Sequence, residues 1–115
     1  MKTIIITAMT LVTLNTFASG GHFHPKQLVK CSKECTDTQI KEAVPTAIAY
    51  LAKWDKIAAS WSNAKIDSIG KKDFKKGPEW VVTLVDSTIQ DIAKQKRYIF
   101  MSLDGFVTGS NSTGE

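Results

Sequence analysis

Residues 3–17 carry no charge and follow the short basic start Met1–Lys2, with Ile4, Ile5, Ile6, Leu11, Val12 and Leu14 as their apolar body. That pattern is an export signal. It is shorter than the roughly 20 apolar residues a bilayer span needs, contains Asn15 and several threonines, and ends in the small residues Ala18, Ser19 and Gly20. Cleavage after Ala18 or after Gly20 satisfies the small-residue requirement of the processing site. Cutting after Ala18 makes residues 1–18 the signal peptide and leaves about 97 of 115 residues, with Lys2 gone and the net charge lowered from +4 to +3. A chain of that size supports one hydrophobic core and hardly two.

Composition narrows the remainder. An aromatic content of 9% argues against a disordered tail, and three prolines and seven glycines argue against a fibrous repeat. The modest positive charge calls for no nucleic acid. The longest later apolar stretch, residues 40–57, is broken by Lys41, Glu42, Lys53, Asp55 and Lys56, so no transmembrane segment is expected in the mature form. The first cysteine, Cys31, is too far from either cut to carry a lipid anchor. The expectation is an exported, unanchored protein, periplasmic if the source is Gram-negative and secreted otherwise.

The mature chain divides unevenly. Residues 19–37 form a polar leader that holds both histidines and both cysteines; residues 38–115 read as a single domain. Thr36 with Gln39 fits a capping box, and Ile40, Ala43, Val44, Ala47, Ile48 and Leu51 then repeat at helical spacing. Pro45 either kinks this helix or begins it, and Lys41, Glu42 and Lys53 form its wet face. A weak strand is predicted at residues 65–69. The stretch from Gly70 to Pro78, with Lys71, Lys72, Lys75 and Lys76 around Asp73 and Phe74, reads as a solvated loop. Trp80 to Val85 is a β-branched run, and residues 89–95 a polar excursion or short helical turn. Residues 98–103 and 106–110 form a hairpin about Asp104-Gly105. In that register Leu103 faces Phe106, and Phe100 faces Gly109 as an aromatic covering a strand glycine. The fold class is α+β: one N-terminal amphipathic helix on a small antiparallel sheet of three to four strands.

The motifs GPEWVVTL, YIFMSLDG and SNSTG, at residues 77–84, 98–105 and 110–114, give residues 38–114 a resemblance to a family of small exported bacterial proteins. That family is described only as a domain of unknown function. The resemblance implies a helix leading into a segment like Ile57-Ala58-Ala59-Ser60-Trp61, then the strands, with a His-containing stretch after the signal, where His22 and His24 stand. The helix-then-meander order is also similar to PepSY-type modules, a likeness of topology that implies binding or restraint of peptidases. Neither likeness assigns a catalytic residue.

From Thr36 onward there is no histidine and no cysteine, so the commonest general base and the strongest nucleophile are missing from the domain. Asp55, Asp67, Asp86, Asp91 and Asp104 fall where turn chemistry alone expects aspartate. Ser60 beside Trp61 lacks a nucleophile-elbow glycine pattern. No enzyme activity is predicted. Cys31 and Cys35, in an exported chain, are expected first as a disulfide closing a turn before the helix. The rival is a copper or zinc site in which His22 and His24, on one side of an extended segment, join Cys31 and Cys35. Free or intermolecular thiols are the third possibility. Trp54, Trp61, Trp80, Phe74, Tyr98 and Phe100 are expected as core before binding face, and Asn111-Ser112-Thr113 matches a glycosylation acceptor.

Two functions follow from these residues. The first is a non-enzymatic binding or accessory protein of the cell envelope, its unidentified protein partner docking near Trp80 and Lys71, Lys72, Lys75 and Lys76, with no cofactor required. The alternative is a metal-binding protein that uses the His/Cys leader.

Overall fold

The structure is a computed structural model and describes residues 22–115; the expected signal peptide and both expected cut sites lie outside the described residues. Helix α1 spans Asp37–Lys53. Its capping box forms as read: Thr36 Oγ1 accepts from Gln39 N at 3.2 Å, and Gln39 Oε1 accepts from Thr36 N at 2.9 Å. The apolar repeat is the buried face, with Ile40, Ala47 and Leu51 wholly enclosed. Pro45 sits inside the helix and does not begin it. It lies on the exposed side with Lys41, whose carbonyl loses its N–H partner where water can replace it. At the far end Asp55, at φ 58, turns the chain left-handed. Asp55 N then reaches Ala52 O and Lys56 N reaches Leu51 O, a Schellman closure made on aspartate where glycine is usual.

Five strands form one antiparallel sheet: β1 (Lys26–Gln27), β2 (Lys65–Phe74), β3 (Gly77–Val85), β4 (Lys96–Ser102) and β5 (Phe106–Asn111), in the order β1-β5-β4-β3-β2. The mixed helix-and-sheet class agrees with the sequence reading, but the sheet has five strands where three to four were expected, and a strand precedes the helix. That strand comes from the leader: Lys26 pairs with Val107 and Gln27 with Phe106. Two polar residues show no alternation, so no sequence signal marks them.

The leader is built into the domain. Leu28 N donates to Gly105 O and Cys35 N to Leu103 O, while Phe23, Leu28, Val29 and Cys31 pack against the core. One face of the sheet, with Trp80, Val82, Leu84, Ile99, Met101 and Val107, closes on α1. Trp61 joins it from a 3-10 turn at Ala59–Asn63, and a second 3-10 turn at Ile92–Lys94 matches the short helical excursion.

Three local readings are corrected. The weak strand at 65–69 runs on to Phe74, and the Gly70–Pro78 stretch is two paired strands joined by a turn at Lys75 and Lys76, with Asp73 opposite Pro78. Lysines on an exposed edge strand resemble a loop in composition while guarding the edge against other chains. The β4–β5 turn has three residues, Leu103, Asp104 and Gly105, with Gly105 N donating to Ser102 O and Gly105 at φ +94. Thr108 is then the extra residue of a bulge, which removes Leu103 from register with Phe106 but keeps Phe100 opposite Gly109. Finally, Phe100 does not cover Gly109: nothing lies within 4 Å of the position a Cβ would take there, and the ring turns edge-on to Phe74 at 5.6 Å.

Candidate functional site

Side chains alternate across β3, so Trp80 and its neighbour Glu79 point to opposite faces. Trp80 turns toward α1 and is 7% exposed. It is core, which removes it from the expected partner surface. Lys71, paired with it across β2 and β3, lies on the same face; its Nζ is 5.3 Å from the Trp80 ring and 2.8 Å from Glu34 Oε1. Both partners of that ion pair are about half exposed, which limits its worth to less than about 1 kcal/mol. Lys72 points the other way, donating to Gly114 O at 3.1 Å, and Lys75 and Lys76 stand on the hairpin tip. The four lysines therefore form no common patch.

The outer face of the sheet carries the groove. A cleft of about 520 Å³ runs from the Lys75-Lys76 turn across Glu79 and Phe100 to β5, with Phe74 as one wall and Gly109 open in its floor. It is an open surface groove and not an enclosed cavity. Glu79 Oε1 accepts from the bulge residue Thr108 at 2.9 Å, so one acid of the groove is already satisfied. Asn111 ends β5 by accepting from Thr113 N and Gly114 N and donating to Glu115 O. The glycosylation-like triplet is thus a turn: its asparagine holds the last residues over the sheet, where Gly114 at φ +79 lies against Tyr98. Phe74 and Phe100, weighed from sequence as core before binding face, line the groove; Gly109 and Thr108 were missed as site residues because the bulge that positions them depends on pairing.

Cys31 and Cys35 are joined as a disulfide with Cα atoms 5.1 Å apart, and Cys35 is 2% exposed. The leading reading of the pair holds. His24 packs edge-on to Trp54 at 6.4 Å and, like His22, is exposed. The four leader residues do not come together: no three His, Cys, Asp or Glu side chains among the described residues are grouped to hold a metal ion. In the disulfide form the two sulfurs are not thiolate ligands. The aspartates serve local turns: Asp86 caps Thr88, Asp91 caps Ala93, and Asp104 accepts from Ser102.

The three motifs now have positions, on β3, on β4 with its turn, and on the Asn111 turn. A family model described as "Family of unknown function (DUF6488)" matches residues 1–115. The chain belongs to this family. That match lends no support to the PepSY likeness. No curated protein and no solved structure matches the chain. No helix among the described residues is long and apolar enough to cross a membrane.

Proposed function

We propose that this member of the family is a non-enzymatic binding or accessory protein of the cell envelope, exported to the periplasm in a Gram-negative cell, whose partner is held on the outer face of the sheet. The observation that carries this is the groove at Gly109. A sheet face normally fills itself, yet here a glycine opposite Phe100 leaves its Cβ position empty next to two phenyl rings packed edge to face. The apolar floor supplies burial of about 25 cal/mol per Å² to whatever covers it. The absence of histidine and cysteine after Cys35 leaves the groove without the commonest general base and the strongest nucleophile, which supports a binding role. The disulfide is in keeping with export.

The test is photo-crosslinking in the source cells, with benzoylphenylalanine at Lys76 on the groove rim or at Lys41 on the wet face of α1. The expected result is one discrete adduct from position 76, none from 41, and its loss when Gly109→Val fills the groove. An adduct pattern shared by both positions and indifferent to Gly109→Val would sink the proposal. Intact mass of the exported chain checks processing near Ala18 and the disulfide together.

A further inference from the structure

The leader pairs with β5 over a short stretch only, because at His24 it turns to Tyr50 on α1. The pairing covers only Lys26 with Val107 and Gln27 with Phe106. Upstream of Lys26 the next residue turned toward β5 would be His24, and there the chain leaves the sheet: His24 O accepts from Tyr50 Oη at 2.9 Å and Phe23 packs on Tyr50 and Trp54. Among the described residues, 108–111 therefore have β4 on one side and no backbone hydrogen-bond partner on the other. Such an edge is a template for a further strand.

This edge adjoins the groove. Gly109 lies on it, faces Phe100, and offers open space where a side chain would be. An apolar side chain brought alongside Gly109 on a new strand can lean over the glycine onto Phe100 and Phe74, within cross-strand reach. We propose that residues 108–111 take an extended segment of a partner protein as a sixth strand, with an aromatic or branched apolar residue seated over Gly109 and an acidic residue toward Lys75 and Lys76. The inference rests on the binding reading above and gives it a mode: main-chain bonds supply affinity, and the groove selects the side chain.

Charge fixes the direction of the acidic residue. Register places Glu79 beside Ser102 and Asn111 beside Tyr98, so the Lys75-Lys76 turn and the Asn111 turn mark opposite ends of the face. Neither Lys75 nor Lys76 is ion-paired among the described residues, and Glu79 is engaged by Thr108. Glu115 stands at the Asn111 end, where it disfavours acid. The other edge, β2, is a poorer template: exposed Lys71, Lys72 and Asp73 and a bulge at Asp67 are devices that block pairing.

The test uses the full mature chain, isotope-labelled for NMR, and synthetic peptides of alternating threonine and valine with one central phenylalanine, ending in two glutamates or two lysines. The glutamate peptide is expected to shift the amides of residues 109–111 and to bind about tenfold more tightly than the lysine peptide. Gly109→Val, whose added atoms meet open space in a strand, should keep the fold by circular dichroism and weaken binding at least about tenfold. N-methylating alternate peptide nitrogens should abolish binding for one parity and spare the other. Binding that tolerates both parities but not Gly109→Val would overturn the added strand while leaving the groove reading intact. Unmoved 109–111 amides with the glutamate peptide at on the order of 1 mM would overturn the inference. So would a dimer of the chain alone that Gly109→Val dissolves, since the edge would then belong to a second copy.

Discussion

Gly105 is where the leader and the β4–β5 turn meet, and Gly105→Ala measures how firmly the two are joined. At φ +94 the position favours glycine, and an L residue held there costs about 1–3 kcal/mol. The new Cβ would also run into the Val29 carbonyl oxygen and stand 2.9 Å from Val29 Cγ1, so the leader has to move. Moving it breaks the 2.9 Å bond from Leu28 N to Gly105 O, worth about 1 kcal/mol. The expected loss is about 2–4 kcal/mol, a large share of the roughly 5–15 kcal/mol available to a small domain. Urea unfolding followed by tryptophan fluorescence reads the loss, and hydrogen exchange at Leu28 reads its place. A variant within about 0.5 kcal/mol of the parent, with Leu28 equally protected, would refute the reasoning that the leader is part of the fold.

Replacing Cys31 and Cys35 together with serine opens a five-residue loop and should cost about 2 kcal/mol on the chain-entropy account; the far-UV spectrum should persist, and denaturant titration measures the rest. Leu51→Ala, at a fully enclosed position under the sheet, should cost about 2–5 kcal/mol in the same assay. Pro45→Ala restores a helix N–H on the wet face and should raise the unfolding midpoint, with a gain of up to about 3 kcal/mol. A lowered midpoint would mean that the proline ring packs against something that matters.

Some of this molecule was legible along the chain because its causes are local. The capping box at Thr36 and Gln39 needs only residues three apart and the buried face of α1 only a 3.6-residue period, and both stand as read; the β-branched run from Trp80 to Val85 is strand as read, with β3 starting earlier, at Gly77. The Cys31–Cys35 pairing was legible as the leading choice because an exported chain with two cysteines is expected to join them, and at four positions apart the bond closes a local turn. What failed depended on distant partners. β1 exists because Val107 and Phe106 lie beside Lys26 and Gln27, and the lysine-rich stretch is strand because β3 pairs with it.

The candidate site divides the same way. By itself the sequence determined that the domain lacks histidine and cysteine, and that Phe100 sits across from Gly109. Only the tertiary structure decided that Trp80 belongs to the core, that Phe100 leans toward Phe74 and leaves Gly109 bare, and that Lys71 and Lys72 part to opposite faces. The physical reason is that alternation along a strand separates neighbours onto two faces, while burial is assigned by whichever face the helix covers. That choice is made by packing between segments far apart in sequence, and it moved Trp80 from the expected partner surface into the core and turned a strand glycine expected to be covered into the floor of a groove.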